Sequence, residues 1–123
     1  MASVMVVDDS ETLRMSVKKM LDGAGITYCE ADNGQRGVET FKTNPDVKLI
    51  ITDYNMPEMD GITMVRKLRE LPTGKDVNVF MLTTESSPDL KALGKEVGIK
   101  AWVTKPFNEE KLVAAIKKML GMA

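Results

Sequence analysis

The sequence predicts an α/β fold in which a doubly wound, five-stranded parallel sheet is covered by five helices. Two observations support this prediction. Short runs of Val, Ile and Leu alternate along the 123 residues with longer segments in which apolar residues recur at helical spacing. The first and third apolar runs lack the strict alternation of half-exposed strands, which is typical of parallel strands covered on both faces.

The five predicted strands are short and are each followed by a helical segment. They lie at residues 3–7, 26–31, 47–52, 77–83 and 100–104. Right-handed crossovers in the resulting βαβαβαβαβα order place two helices on one face of the sheet and three on the other. Since no linker or low-complexity segment divides the chain, we expect one domain over residues 1–123.

Polar caps, glycines and prolines bound the predicted helices. The expected caps or first residues are Ser10, Asn33, Asp60, Ser87 and Asn108. The first three helices are expected to stop before Gly25, Pro45 and Pro72. The fourth helix has a proline at its first position and is predicted to bury a stripe of Leu90, Leu93 and Val97.

Charge and composition exclude several classes of function. With 17 basic and 18 acidic residues, the chain has no basic excess that would favour nucleic acid binding. The absence of histidine excludes Ser-His-Asp catalysis and His-ligated zinc from this chain alone, and the single Cys29 excludes a thiolate cage. The apolar runs are too short for membrane insertion and no secretory signal is visible, so we expect a cytoplasmic protein.

Polar side chains follow four of the apolar runs at the point where each run ends. Asp8 and Asp9 follow the first strand, Asp53 the third, Thr83 the fourth and Lys105 the fifth. The carboxyl ends of parallel strands meet at one edge of the sheet, where open α/β sheets bind ligands. We therefore expect three carboxylates, one hydroxyl and one ammonium group to share a pocket.

The carboxylates admit two interpretations. Asp8 or Asp9 can cap the following helix, and Asp53 can stabilise a turn. Adjacent carboxylates repel one another unless a cation lies between them, and ligands that are all oxygen atoms favour Mg²⁺. The carbonyl of Asn55 is a further candidate ligand, and the carboxylate of Asp53 can act as a nucleophile toward phosphorus.

The hydroxyl, the ammonium and the tryptophan have ordinary roles as well. A threonine at the position of Thr83 suits a strand, and a lysine at the position of Lys105 suits the surface. A hydroxyl at a strand end can also donate to a phosphoryl oxygen, and an ammonium beside it can reach a phosphate as a point charge. Packing is the ordinary role of Trp102 on the last strand.

Taken together, these motifs resemble the receiver domain of two-component response regulators. The set comprises Asp8-Asp9, Asp53, Asn55-Met56-Pro57, Gly61, Thr83 and Lys105-Pro106-Phe107. The resemblance covers essentially the whole chain, and it implies the flavodoxin-like strand order 2-1-3-4-5. It also implies that Asp53 accepts a phosphoryl group from a phosphohistidine on a partner histidine kinase. The implied Mg²⁺ ligands are Asp8, Asp9, Asp53 and the carbonyl oxygen of Asn55, with Asp9 the more direct ligand of the acidic pair.

The same resemblance implies the parts of a switch. Thr83 and Lys105 are expected to bind the phosphoryl oxygens, and Trp102 takes the position of the aromatic residue that turns inward. The peptide bond between Lys105 and Pro106 is expected to be cis. The expected readout is the face formed by the fourth helix, the fifth strand and the fifth helix.

A narrower resemblance, to the CheY-type proteins of bacterial chemotaxis, rests on three motifs. They are Thr83-Thr84-Glu85-Ser86-Ser87, Gly94-Lys95 and Trp102 ahead of the lysine. It implies a CheA-like kinase and a downstream target such as a flagellar motor switch protein, with a phosphatase as a further candidate partner. Asn55 and Glu85 flank the expected path of the hydrolytic water and are candidates for tuning the phosphate lifetime. We expect a monomer with no nucleic acid partner.

Three alternatives compete with a chemotaxis switch. The first is a phosphate sink or phosphorelay intermediate outside chemotaxis. The second is a phosphatase of the haloacid dehalogenase type, which is disfavoured because Asn55 stands where such enzymes place their general acid. The third is a binding module that is never phosphorylated. The intact acidic set argues against this third alternative, and we expect a signalling protein rather than an enzyme.

Overall fold

The computed structural model describes residues 2–122 and contains one sheet flanked by helices. The strands are β1 (Val4–Val7), β2 (Tyr28–Ala31), β3 (Leu49–Thr52), β4 (Asn78–Thr83) and β5 (Ala101–Thr104). The helices are α1 (Glu11–Gly23), α2 (Gly34–Lys42), α3 (Gly61–Arg69), α4 (Pro88–Glu96) and α5 (Glu109–Met119), with a 3₁₀ turn at Pro72–Gly74. All neighbouring strands are parallel, in the order β2-β1-β3-β4-β5. The predicted doubly wound sheet and its strand order are therefore confirmed.

The strand register aligns the carboxyl ends of the central strands. Val7 at the end of β1 pairs with Thr52 at the end of β3, and Thr83 at the end of β4 pairs with Thr104 at the end of β5. The residues that follow these positions therefore leave the sheet at one edge. The register thus places the acidic motifs and the lysine within reach of one another.

The core has two halves, one on each face of the sheet. On one face Phe41 of α2 and Met64 and Leu68 of α3 pack with alternate strand residues such as Ile50. On the other face, apolar residues of α1 and α5 pack with the remaining strand positions. They include Val17, Leu21, Leu112 and Ile116, which are buried with Val4 and Ile51. Burial of both sheet faces explains why the strands read as continuous apolar runs. None of the helices in residues 2–122 has the length and apolarity needed to cross a membrane.

Polar side chains cap the helices as the sequence predicts. The hydroxyl of Ser10 accepts the N–H of Leu13 at the start of α1, and the carboxylate of Asp60 accepts the N–H of Thr63 at the start of α3. Asn33, Ser87 and Asn108 cap the other three helices in the same way. Each cap satisfies an N–H group that the helix itself leaves unpaired.

Two predicted details are wrong. The second strand begins at Tyr28 rather than at residue 26, and the third begins at Leu49 rather than at residue 47, although Ile26 and Val47 are buried in the core beside them. In α4 the predicted buried stripe is covered only in part, because Leu93 is 39% exposed. The buried residue of this helix is Gly94. The helical period indicates which side chains share a face of the helix, but not what covers that face. Because α4 lies beside the edge strand β5, where the sheet ends, its apolar face is covered only in part.

Candidate functional site

Three aspartates converge beyond the carboxyl ends of β1 and β3. Oxygen atoms of Asp8, Asp9 and Asp53 all lie within 4.8 Å of one another. Asp8 is buried, Asp53 is half-buried and Asp9 is exposed. At this separation the charges repel strongly unless a positive group lies among them. The structure therefore brings together the three carboxylates that the sequence places at the strand ends.

Backbone hydrogen bonds hold Asp8 and Asp53 at the sheet edge. The N–H of Asp8 donates to the carbonyl of Ala31 on β2, and the N–H of Asp53 donates to the carbonyl of Val7 on β1. The N–H of Ser10 donates to Oδ1 of Asp8 at 2.9 Å, and the N–H of Tyr54 donates to Oδ1 of Asp53 at 2.7 Å. Each carboxylate thus has one oxygen held by the main chain, and the second oxygen faces its neighbours.

Lys105 supplies the positive group. Its Nζ lies 3.4 Å from Oδ2 of Asp8 and 3.4 Å from Oδ2 of Asp53. The N–H of Lys105 donates to the carbonyl of Thr83, which continues the pairing of β5 with β4, and the bond between Lys105 and Pro106 is cis. One ammonium among three carboxylates leaves the cluster with an excess of negative charge.

The environment of Asp8 perturbs its ionisation. Burial raises the pKa of the Asp8 carboxyl above its usual value, and the nearby carboxylate of Asp53 adds to the rise. The N–H of Ser10 and the ammonium of Lys105 act in the opposite direction without cancelling it. A cation bound to the cluster would favour the charged form of Asp8.

Replacing Asp8 with asparagine is expected to stabilise the ion-free protein at neutral pH. Because the pKa is raised by folding, the stability linked to this carboxyl is present below the unfolded pKa of about 3.8 and is lost as the pH rises through the folded pKa. The charged carboxylate therefore opposes folding at pH 7, and the neutral amide removes that cost while its oxygen still accepts from Ser10. Thermal unfolding in the presence of a chelator should give a higher Tm for Asp8→Asn.

Since the sequence predicts Mg²⁺ at this cluster, the same substitution is expected to shrink any rise in Tm on addition of Mg²⁺, because one charged candidate ligand is lost. Asp46→Asn, in the exposed loop ahead of β3, is the matched control and should change neither Tm nor the Mg²⁺ response. A lower Tm for Asp8→Asn at pH 7 in chelator would show that the charge of Asp8 is not a cost to folding.

Glu85 links the loop after β3 to the last strand, β5. Its carboxylate accepts a hydrogen bond from Nδ2 of Asn55 at 2.9 Å, and its backbone carbonyl accepts one from Nε1 of Trp102 at 2.7 Å. Its N–H donates to the hydroxyl of Thr83, which is fully buried at the end of β4. The loop between β4 and α4 therefore links four residues that the sequence analysis singles out, namely Asn55, Thr83, Glu85 and Trp102.

Gly94 accounts for the position of the Trp102 ring, and the sequence reasoning overlooked this role. A Cβ atom at Gly94 would lie 3.0 Å from Cζ3 and 3.2 Å from Cε3 of Trp102, so the indole packs against the bare backbone of α4. A glycine inside a helix costs about 0.5–1 kcal/mol relative to alanine. Its presence in the middle of a helical segment was the available signal for a close approach.

The fold and the site define a class of protein. Residues 4–117 match the family described as the response regulator receiver domain, and this chain belongs to that family.

Within the family, its relatives include chemotaxis proteins of the CheY type. The chemotaxis protein CheY1 of Helicobacter pylori is 34% identical, with 96% of both chains covered. The solved structure of chemotaxis protein CheY4 of Vibrio cholerae has 37% identity and a TM-score of 0.89, and the match covers 97% of this chain and 98% of that one. The sensor histidine kinase CheAY of Helicobacter pylori is 32% identical over 97% of this chain but only 15% of its own length. The resemblance to a CheY-like receiver domain is confirmed.

Proposed function

We propose that this chain is a single-domain response regulator of chemotaxis signalling that is phosphorylated on Asp53 by a partner histidine kinase. The observation that carries the proposal is the position of Lys105 Nζ, 3.4 Å from both Asp8 and Asp53 at the edge of a receiver-domain sheet. This ammonium stands where it can bind an oxygen of a phosphoryl group attached to Asp53. A CheA-like kinase, a downstream target such as a motor switch protein and a phosphatase are the partners that the proposal names.

The donor set fits Mg²⁺. Asp8, Asp9 and Asp53 offer oxygen ligands within 4.8 Å of one another, and the single ammonium leaves net negative charge for a divalent cation. The carbonyl of Asn55, two residues after Asp53, is the fourth proposed ligand. When bound, Mg²⁺ would neutralise charge on the phosphoryl group and on the carboxylates.

The proposed transfer is a displacement at phosphorus. An oxygen of Asp53 forms the new P–O bond while the P–N bond to the donor imidazole breaks, and the imidazole nitrogen keeps the electron pair of that bond. The donor histidine must belong to another protein, because this chain contains none. In this step Lys105 holds a phosphoryl oxygen as negative charge arrives. Thr83 is proposed to bind another phosphoryl oxygen, because it lies on β4 one residue beyond the position beside Asp53.

The residue two positions after Asp53 supports a signalling protein over a phosphatase. Phosphatases of the haloacid dehalogenase type commonly place a carboxylic acid there as general acid, and the amide of Asn55 cannot donate a proton in that role. This amide instead donates a hydrogen bond to the carboxylate of Glu85.

The proposed switch acts through the loop between β4 and α4. If the hydroxyl of Thr83 turns toward the phosphoryl group, the N–H of Glu85 loses its present acceptor. Glu85 also holds Nε1 of Trp102, so the loop and the indole respond together. A phosphoryl group shifts this equilibrium only through its different contacts in the two states, and Thr83 and Lys105 make those contacts.

The target is proposed to bind the face formed by α4, β5 and α5. α4 has little of its surface buried, and Leu93 on this helix is exposed. All four residues of β5 are at least partly exposed. An apolar side chain on a thinly covered helix is a suitable contact for a partner that senses the position of Trp102.

Intact mass after incubation with acetyl phosphate and Mg²⁺ tests the proposal. We expect a gain of one phosphoryl group that is labile to alkali and is absent when a chelator replaces Mg²⁺. No gain with acetyl phosphate and none with a phosphorylated histidine kinase of the chemotaxis type would overturn the proposal. Turnover of a generic phosphate ester would favour the phosphatase instead.

Lys105→Ala is expected to slow phosphorylation without abolishing it. The variant is also expected to lose the change in the environment of Trp102 that phosphorylation causes. The loss of one hydrogen bond to a charged group costs about 1.5–3 kcal/mol, which corresponds to a rate lower by roughly 10–160-fold. The emission of Trp102, the single tryptophan, should change on phosphorylation of the parent chain and stay constant in the variant.

The matched control is Lys100→Ala, which removes an exposed lysine just ahead of β5. This variant should keep both the rate and the emission change. A phosphorylated Lys105→Ala chain with the full emission change would contradict the role proposed for Lys105.

A further inference from the structure

Arg14 on α1 connects the end of β1, beside the three aspartates, with the edge strand β2. Its Nη1 donates to the backbone carbonyl of Asp8 at 2.6 Å, and its Nε donates to Oε1 of Glu30 on β2 at 3.1 Å. The Arg14 side chain is only 13% exposed. Arginine side chains on a helix near the surface usually extend into water. This side chain instead has low exposure and two hydrogen bonds, which hold it in one position.

The carbonyl that Arg14 contacts lies where the sheet pairing stops. Asp8 follows the last residue of β1, and its N–H still pairs with Ala31 of β2. The carbonyl of Asp8 and the N–H of Asp9 belong to one planar peptide unit. Fixing the carbonyl therefore fixes the direction in which the main chain enters Asp9.

We propose that Arg14 is a positioning residue for the acidic pair, which it holds in the arrangement that binds Mg²⁺. This inference rests on the proposed function, since it concerns the same cation site. The planar guanidinium donates to Asp8 through one nitrogen and to Glu30 through another, so the edge strand fixes its orientation. Groups that orient metal ligands in this way typically change the affinity for the metal by 10–100-fold when they are removed.

Because Arg14 is charged, the direction in which its removal changes the Mg²⁺ affinity tests the inference. A guanidinium beside a cation site repels the cation, so removal of its charge alone would tighten Mg²⁺ binding. Loss of a positioning contact would weaken binding. Lys18 offers a matched comparison, because its ammonium also pairs with Glu30. The contacts of Lys18 do not include Asp8, so its removal changes the charge without releasing the acidic pair.

The experiment is calorimetric titration of the full chain with MgCl₂. Arg14→Gln is expected to bind Mg²⁺ about 10-fold more weakly than the parent chain, and Lys18→Gln is expected to bind it equally or slightly more tightly. Arg14→Lys keeps the charge but cannot reach both Asp8 and Glu30 with a planar fork, so an intermediate affinity is expected. Melting curves in chelator show that each variant is folded at the temperature of the titration.

Each outcome decides the inference. Equal or tighter Mg²⁺ binding by a folded Arg14→Gln chain would overturn it and leave the proposed function intact. If Arg14→Gln does not fold, Arg14→Lys decides, because its charge is unchanged and only a geometric role predicts weaker binding. A parent chain that does not bind Mg²⁺ would overturn the proposed function and this inference with it.

Discussion

Asp53→Asn is expected to abolish phosphorylation of this chain by acetyl phosphate or by a kinase. Asparagine keeps the size of the side chain and can still accept the N–H of Tyr54, but its neutral amide is a far weaker nucleophile than a carboxylate. Loss of a nucleophile typically lowers a rate on the order of 10³-fold or more. The gain of one phosphoryl group in intact mass should therefore disappear.

Asp60→Asn is the control for this experiment. Asp60 lies seven residues after Asp53 and caps α3 through the N–H of Thr63. Asparagine caps helices as well as aspartate does, so this variant should fold and accept phosphate like the parent chain. A mass gain that persists in Asp53→Asn would place the acceptor elsewhere, and digestion into peptides would then show whether Asp8 or Asp9 carries the group.

The sequence was sufficient to predict the element order, because strands covered on both faces read as apolar runs and the helices between them have polar caps. The same pattern was sufficient to predict that Asp8, Asp53 and Lys105 meet, since parallel strands end at one edge. It did not supply the strand order, because several arrangements of five apolar runs bury the same residues. The order came from the resemblance to receiver domains, and the structure confirms it.

Contacts between distant parts of the chain were beyond the sequence. Lys105 reaches Asp8 across 97 positions, and its distance depends on the register of three intervening strand pairs. Arg14 has the spacing of an ordinary surface residue of a helix, and nothing in its neighbours indicates that it bonds to the end of β1. Leu93 has the spacing of a core residue, yet the sheet ends beneath its helix. Periodicity reports the face of a residue but not what covers that face.

Gly61→Ala is expected to have the largest effect on stability among the substitutions considered. Gly61 is the first residue of α3, and its N–H donates to the carbonyl of Tyr54. A Cβ atom there would lie 2.2 Å from the carbonyl oxygen of Asp53 and 3.2 Å from Cα of Tyr54. Both neighbours are main-chain atoms, so the strain cannot be relieved by a rotamer change. We expect a loss of about 3 kcal/mol and a fall in Tm of about 10 °C.

Gly23→Ala is the matched control for Gly61→Ala. Gly23 is the last residue of α1, and a Cβ atom added to it would meet nothing within 4 Å. Alanine there restricts the unfolded chain without straining the folded one, so a gain of about 0.4–1 kcal/mol is expected. The same chemical change should thus move the melting temperature in opposite directions at the two glycines.

The site of the clash makes a second readout possible. Because the displaced main chain belongs to Asp53 itself, Gly61→Ala should also slow phosphorylation at a temperature where the variant is fully folded. Gly23→Ala should leave that rate unchanged. A Gly61→Ala chain that melts with the parent and accepts phosphate at the parent rate would mean that the loop after β3 yields without cost. If the expected losses are found, the glycine of the receiver motif is explained by the space that the main chain of the phosphoryl acceptor requires.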